Sequence, residues 1–159
     1  MPFRRGLAIR RATEADLDRV MKIAGNTPCV SHWSRATYEK YQSEPREGLF
    51  HRFLLIADAD QGVTGFAAGT FLEGDDVATL ENLAVDTEWR RQGVAKALAA
   101  EVIKWAKSEG ASGLELEVRI SNEAAQALYK SLRFAVRGRR SKYYSEPEED
   151  ALLMVLKFE

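Results

Sequence analysis

The sequence is poor in the features that mark special classes of protein. Cys29 is its only cysteine, which excludes an intrachain disulfide framework and suits a reducing compartment. No apolar run approaches the ~20 residues that a membrane-spanning helix requires. The net charge of −1 provides no overall positive field that would favour nucleic acid. We therefore expect a cytoplasmic protein that binds neither nucleic acid nor a membrane.

The chain also lacks internal repeats and low-complexity tracts. Residues 1–6 are basic, but no apolar stretch of about 7–15 residues follows them, so we expect no secretory signal. A length of 159 residues with 45% hydrophobic and 30% charged residues is typical of a globular protein. The sequence therefore predicts a single domain over residues 1–159.

Hydrophobic periodicity predicts a mixed α/β order, β-α-α-β-β-β-α-β-α-β-β. The predicted strands span residues 7–11, 53–57, 63–71, 77–85, 114–118, 135–144 and 151–158. A first helix carries apolar residues at helical spacing from Leu17 to Ala24, and further helices are predicted at 34–43, 94–107 and 122–132. Residues 58–62 are predicted to form a hairpin loop and residues 145–150 an acidic loop.

A glycine turn between the strand at 77–85 and the helix from Val94 is the most informative segment. Its sequence is Arg-Arg-Gln-Gly-Val-Ala at residues 90–95. Free N–H groups and the positive end of the helix dipole bind phosphate at such a turn, and Gly93 lets a ligand approach the backbone. No Gly-Lys-Ser/Thr follows and a second glycine is missing, which excludes the Walker and dinucleotide motifs. The alternative is a polar loop that opens an ordinary helix.

Further motifs accompany this turn. Ala-Thr-Leu-Glu-Asn-Leu-Ala-Val precedes it at 78–85, Leu-Glu-Val-Arg-x-Ser-Asn follows at 116–122, and Ala-Leu-Tyr at 127–129. Together they resemble the GNAT superfamily of acetyl-CoA-dependent N-acetyltransferases over nearly the whole chain. Residues 28–34, the 116–122 motif and the tail Arg-Arg-x-x-Tyr-Tyr with Glu-Asp-Ala at 139–151 are more similar to one group, the bacterial ribosomal-protein-alanine N-acetyltransferases (RimI).

The resemblance implies an α/β GNAT fold with a mixed central sheet of about seven strands, splayed between the fourth and fifth, and helices on both faces. It implies acetyl-CoA as co-substrate and no metal. The residues expected to bind acetyl-CoA are the strand backbone at Leu83, Ala84 and Val85, the phosphate turn at Arg91, Gln92, Gly93, Val94, Ala95 and Lys96, and Asn122 on the next helix. The implied protein substrate is the N-terminal alanine of the eighteenth small-subunit ribosomal protein.

Glu117 is the candidate general base. The resemblance implies this role, and a partly buried glutamate with a raised pKa would suit it. Strand alternation alone instead places Glu117 on the solvent face beside Glu115. Glu81 is a rival, because a carboxylate within an apolar strand needs a partner or a cleft.

Tyr129 is the candidate general acid, since a phenol with a pKa near ~10 stays protonated while a thiolate leaves. Its alternative role is that of a core aromatic residue. Arg133 stands where the family usually has glycine, at the end of a helix. A left-handed arginine there would cost roughly 1 kcal/mol.

Other residues leave alternatives open. His32, Trp33, Tyr143 and Tyr144 are either substrate-loop residues or packing residues, and the basic residues at 137–142 form either a nucleic-acid patch or a solvated strand face. Two rival functions also remain. One is an acetyltransferase for another protein N-terminus, a lysine or a small-molecule amine, and the other is an acyl-CoA-binding module without activity.

Overall fold

The computed structural model describes residues 6–60 and 62–159. Its helices are α1 (Leu17–Gly25), α2 (Arg35–Ser43), α3 (Val94–Ser108) and α4 (Glu123–Ser131), with 3-10 turns at Glu14–Asp16 and Thr87–Trp89. Its strands are β1 (Ala8–Arg11), β2 (Arg46–Glu47), β3 (Phe50–Ala59), β4 (Gly62–Leu72), β5 (Val77–Val85), β6 (Gly113–Arg119), β7 (Ala135–Tyr144) and β8 (Glu149–Lys157). Apart from the two-residue strand β2, this is the order that the sequence predicts.

The strands form one mixed sheet. Its order is β1-β3-β4-β5-β6-β8-β7, and β2 pairs separately with β3. Every pairing is antiparallel except that of β5 with β6. The parallel pairing follows from the crossover through α3, which brings the chain back to the same end of the sheet.

The two central strands separate after a short paired stretch. Residues Val77–Thr79 of β5 pair with Gly113–Glu115 of β6, and the pairing stops there. On its other side β5 bulges, because Asn82 pairs with Ala68 and Leu80 with Gly69, so that Glu81 has no partner in β4. A bulge bends its strand and increases the local twist. The predicted splay between the fourth and fifth main strands is therefore confirmed.

Helices cover both faces of the sheet, as predicted. The core on one face contains α3 residues such as Leu98 and Val102 together with Tyr129 of α4. The core on the other face contains Leu17 and Val20 of α1 and Tyr38 of α2. Each helix presents apolar residues at i, i+3 and i+4 spacing to the sheet, so the polar residues remain outside.

Three local predictions need correction or completion. Glu149 and Asp150 are not loop residues, because they begin strand β8, where Glu149 pairs with Tyr144. Arg133 does adopt the left-handed conformation, with φ of 74°. The hairpin loop predicted at 58–62 is too long, because Asp58 and Ala59 belong to β3 and Gly62 begins β4. Gln61 of that loop and residues 1–5 of the basic N-terminal stretch lie outside the described residues.

Membrane-spanning helices are not found in the described part of the chain, where each helix is too short or too polar to cross a bilayer.

Candidate active site

The separation of β5 from β6 opens a cavity of about 550 Å³ in the middle of the sheet. The predicted site residues that line it are Leu83, Ala84, Val85, Arg91, Gly93, Val94, Ala95, Lys96, Glu117, Asn122 and Tyr129. Glu81 also lines it, and Gln92 does not. The structure thus brings together residues from strands and helices up to about fifty positions apart in the sequence.

The glycine turn forms one end of this cavity, which we call the donor half (residues 90–96). Arg91 and Gly93 both have left-handed backbones, with φ of 61° and 83°, and α3 begins immediately afterwards. Nothing lies within 4 Å of the position that a Cβ at Gly93 would occupy. The first-turn N–H groups of α3 have no intrahelical acceptors, so they are available to an anion.

The remaining predicted donor residues occupy the walls beside this turn. Arg90 donates from Nε to the carbonyl oxygen of Val85 at 3.3 Å, which ties the turn to the end of β5. Asn122 caps α4, and its Oδ1 accepts from the N–H of Ala125 at 3.2 Å. Gln92 is turned back along the chain, because its Nε2 donates to the carbonyl oxygen of Glu88 at 3.0 Å.

Glu117 lies on the β6 wall and is largely covered. Its side chain is 21% exposed, its Oε1 lies 3.5 Å from Nε of Arg140 on β7, and its Oε2 is buried with no hydrogen-bond partner among the described residues. The solvent-face position that strand alternation predicts for it is therefore wrong. The β7–β8 hairpin continues the sheet beside β6, and the side chain of Arg140 on β7 reaches Glu117.

Tyr129 enters the cavity from α4 and is 7% exposed. Its ring packs edge-on against Phe134, with 5.5 Å between the centroids. Burial raises the pKa of the Tyr129 phenol above its usual value, and the nearby Tyr144 adds to this. The side chain is thus both a core residue and a protonated hydroxyl at the cavity, so the two roles that the sequence left open coexist.

Glu81 is the second carboxylate at the cavity, on the opposite wall from Glu117. Its Oε1 accepts a hydrogen bond from the hydroxyl of Tyr41 on α2 at 2.7 Å. Burial raises the pKa of the Glu81 carboxyl, while the hydrogen bond from Tyr41 and the charge of Arg52 oppose the rise. A carboxyl of this kind holds a proton more readily than a fully hydrated one.

We call this end of the cavity the acceptor half. Glu81, Glu117 and Tyr144 line it, and we include Tyr41 and Tyr143, which interact with these carboxylates from outside the lining. Burial raises the pKa of the Tyr143 phenol, and the charges of Glu117 and Glu81 both add to the rise. Burial likewise raises the pKa of Tyr144 to about 12. Tyr143 is therefore within electrostatic reach of both carboxylates.

The tail motif from Arg139 to Ala151 positions these tyrosines. Arg119 pairs with Glu149 at 3.2 Å, and its guanidinium lies 4.3 Å from the centroid of the Tyr144 ring. Arg139 pairs with Asp150 at 2.6 Å between Nη2 and Oδ2. The charged residues of the motif thus fix the β7–β8 hairpin, and Tyr144 lines the cavity.

Sequence reasoning missed the loop at residues 27–31, which lines the cavity from above β5. Asn82 holds this loop, because its Nδ2 donates to the carbonyl oxygen of Ser31 at 2.9 Å. Trp33 packs on Tyr38 and Tyr41, with centroids 5.3 and 4.8 Å apart, so it serves to pack the loop. His32 makes a 3.5 Å contact to the carbonyl oxygen of Thr27. Asn82, a polar residue beside Glu81 in an otherwise mostly apolar strand, was the signal in the sequence.

The model of the Acetyltransferase (GNAT) family matches residues 17–134 of the chain, a span that includes both halves of the cavity except the β7–β8 hairpin. The chain belongs to the GNAT family. It is an acetyl-CoA-dependent N-acetyltransferase, as the resemblance implied.

Individual GNAT relatives are similar in sequence to this protein over most of its length. A putative [ribosomal protein bS18]-alanine N-acetyltransferase of Bacillus subtilis is 32% identical over 147 residues, covering 92% of this chain and 93% of the relative. The [ribosomal protein bS18]-alanine N-acetyltransferase of Escherichia coli is 38% identical over 126 residues, covering 78% and 80%. The crystal structure of the Escherichia coli ribosomal-protein-S18-alanine N-acetyltransferase matches with a TM-score of 0.78 and 32% identity, covering 96% and 94%.

The residues of this GNAT chain fit acetyl-CoA. The glycine turn and the two carboxylates line the same cavity, so a long ligand can extend between them. The turn offers backbone donors and the cations Arg91 and Lys96 at one end. Within the described residues, no cluster of three or more His, Cys, Asp or Glu side chains is arranged to hold a metal ion.

Proposed function

We propose that this enzyme transfers an acetyl group from acetyl-CoA to the N-terminal α-amine of a protein, and that its substrate is the N-terminal alanine of ribosomal protein bS18. The proposal rests on relatives of that description at 32–38% identity over most of the chain. A ribosomal protein as substrate implies that this enzyme acts in the cytoplasm. The observation that carries the chemistry is that Glu117 and Tyr129 line one cavity that also reaches the glycine turn.

The donor half would bind acetyl-CoA. Gly93 and the first turn of α3 would hold the pyrophosphate, aided by Arg91, Val94, Ala95 and Lys96. The free edge of β5 at Leu83, Ala84 and Val85 would offer backbone groups to the pantetheine arm. Asn122 would bound the same channel from α4. Gln92 would contribute through its backbone, because its side chain is bound elsewhere.

Glu117 would act as the base. It would take one proton from the α-ammonium of the acceptor, whose pKa is near ~7.7–8.0. The neutral nitrogen would then attack the thioester carbonyl, forming a C–N bond as the C–S bond breaks. The unpaired, buried Oε2 of Glu117 supports this role, because a carboxylate oxygen in that position lacks a partner until an amine arrives.

Tyr129 would act as the acid. Its phenol would donate a proton to the sulfur as the thiolate leaves, and would recover one through solvent from the acetylated nitrogen. The raised pKa keeps the phenol protonated at neutral pH, so the donor is present in every enzyme molecule. The products are an N-acetylated peptide, CoA with a free thiol, and one proton released to solvent.

The substrate is tested with three peptides incubated with enzyme and acetyl-CoA and analysed by mass spectrometry. One begins with alanine and has the N-terminal sequence of bS18. A second is identical but N-terminally blocked, with a free lysine, and a third begins with a different residue. We expect acetylation of the first alone, at the α-amine. Comparable rates on the blocked peptide would contradict the α-amine proposal, and comparable rates on the third would contradict specificity for alanine.

A further inference from the structure

Glu81 occupies an unusual position in strand β5. It is the extra residue of the bulge, left between the Leu80–Gly69 and Asn82–Ala68 pairs. A bulge of this kind turns a side chain away from the alternation of its strand. Here the side chain faces the same cavity that Glu117 faces from β6. The bulge therefore gives the acceptor half a second carboxylate.

The charge on Glu81 is not matched by a cation in contact with it. Its Oε1 accepts from the neutral hydroxyl of Tyr41, and it forms no ion pair within the described parts of the chain. Arg52 acts on Glu81 from a distance, but its own Nη2 is bound to Glu47 at 2.5 Å and its Nη1 to the carbonyl oxygen of Glu44 at 3.0 Å. Glu81 itself is exposed, so a cationic ligand can reach this carboxylate, which has no bound cation among the described residues, and form charged hydrogen bonds with it.

Glu117 differs from Glu81 in this respect. Arg140 lies 3.5 Å from Glu117 and neutralises part of its charge. Both carboxylates line the same cavity, Glu81 from β5 and Glu117 from β6, and the charges of both raise the pKa of the Tyr143 phenol. An amine that enters this cavity as a cation meets the unpaired carboxylate as well as the base.

We propose that Glu81, positioned by Tyr41, is the subsite that binds the acceptor amine as its ammonium ion before Glu117 removes the proton. The proposal rests on the proposed function and assigns Glu81 to binding, with Glu117 kept as the base. An ammonium has three donors, so it bonds to both carboxylates at once while its third N–H points into the cavity. Tyr41 fixes the Glu81 carboxylate by its 2.7 Å hydrogen bond and is a positioning residue.

Steady-state kinetics with the alanine peptide separates binding from chemistry. Loss of one charged hydrogen bond corresponds to roughly a tenfold or larger change in affinity. We expect Glu81→Gln to raise KM for the peptide at least fivefold while kcat stays within tenfold of wild type. Tyr41→Phe should raise KM by a smaller factor and give the same unchanged kcat. Glu115→Gln, on β6 but outside the cavity, is the matched control and should change neither constant.

Any other pattern in Glu81→Gln overturns the proposal. A KM within fivefold of wild type would mean that Glu81 does not bind the amine. A fall in kcat beyond tenfold would assign Glu81 to the chemical steps. Circular dichroism melting and CoA affinity check that each variant is folded. If Glu81→Gln does not fold, the KM and kcat of the milder variant Tyr41→Phe test the same proposal.

A binding measurement without turnover separates this proposal from the proposed function. Calorimetry on the CoA-loaded enzyme at about pH 6, where the α-amine is an ammonium, compares the alanine peptide with the same peptide lacking its α-amino group. Wild type should prefer the amine peptide at least fivefold, and Glu81→Gln should lose most of that preference. Equal preference in the two proteins would overturn the subsite, whereas absence of acetyl transfer by wild type would overturn the proposed function alone.

Discussion

The donor half of the cavity is one continuous segment, residues 90–96, whereas the acceptor half combines side chains from α2, β5, β6 and β7. The donor half uses backbone conformation, above all the left-handed residues Arg91 and Gly93. The acceptor half uses carboxylates and phenols whose environments come from long-range packing. Glu81 depends on Tyr41, and Glu117 is covered by Arg140.

This difference has a physical origin. A phosphate group is recognised by a helix terminus, which neighbouring residues can form by themselves. An amine that must bind as a cation and react as a neutral base needs charged groups held apart and partly desolvated. Such an arrangement requires several elements to meet. Changes in the donor half should therefore alter CoA affinity alone, and changes in the acceptor half should alter turnover or peptide affinity.

The largest expected effect is on chemistry in the acceptor half. Glu117→Gln should lower kcat by about 10²–10⁴-fold, because a positioned base contributes that much. The loss should shrink as the pH rises past the α-amine pKa of ~7.7–8.0, since the amine is then already neutral. A pH profile of kcat with the alanine peptide measures this. Glu115→Gln is the control, and near wild-type activity of Glu117→Gln at pH 7 would show that Glu117 is not the base.

A second change tests the acid. Tyr129→Phe should lower kcat by about 10²-fold or more with little change in CoA affinity, because the ring packing stays while the proton donor is lost. High pH should not restore its activity, since the thiolate still lacks a donor. Stopped-assay thiol release across the pH range measures this. Tyr38→Phe, which also removes a buried hydroxyl, should retain full activity; an equal loss there would point to a packing effect.

The donor half is tested by Gly93→Val. A residue with φ of 83° strains any side chain, and a valine would also occupy the space open to phosphate. CoA at 100 times its dissociation constant should stabilise wild type by ~2.7 kcal/mol, and this gain should be absent in the variant. Thermal melting with and without CoA measures it. Gly74→Val, with φ of 99° in a distant turn, is matched for strain and should keep the full CoA shift.

The smallest expected effect lies outside both halves. Asp16 accepts from the N–H of Thr13 at 2.7 Å and pairs with Arg10 at 2.8 Å. Asp16→Asn should lower the free energy of unfolding by about 1 kcal/mol, as loss of a helix cap does, without changing CoA or peptide affinity. Asp18→Asn, an exposed neighbour, is the control. A change in CoA affinity in Asp16→Asn would show that the two halves are not independent of the scaffold.

The same carboxyl gives a pH dependence of stability. The hydrogen bond from Arg10 lowers the pKa of Asp16 in the folded protein, against the opposing effect of burial. The contribution of Asp16 to the free energy of unfolding is therefore complete above its pKa in the unfolded chain, ~3.9. This contribution is lost as the pH falls through the lower pKa of Asp16 in the folded protein. The free energies of unfolding of wild type and Asp16→Asn, measured with urea, should therefore become equal in acid.

The sequence predicted the glycine turn and the start of α3 at Val94, because turn, glycine and helix start are all set by neighbouring residues. The binding of CoA at this turn stays a prediction. It did not predict the bulge at Glu81, since the alternation around that residue continues as in a regular strand. It also placed Glu117 on the solvent face, because alternation within β6 contains no information about Arg140, which comes from another strand and lies 3.5 Å from Glu117. The polarity of Glu149 and Asp150 predicted a loop. In the structure both residues belong to β8, where they form ion pairs with Arg119 and Arg139.

Among residues 6–60 and 62–159, strand β7 is the last strand on its side of the sheet and pairs with β8 alone. An edge of this kind is a template on which another molecule's strand can add, the first step of aggregation. Most of β7 is exposed, and it carries Arg137, Arg139, Arg140 and Lys142. Arg139, Arg140 and Lys142 pair with Asp150, Glu117 and Glu148, and the left-handed Lys142 at φ of 53° interrupts the regular ladder. The charged side chains and the interrupted ladder make this edge a poor template for another strand.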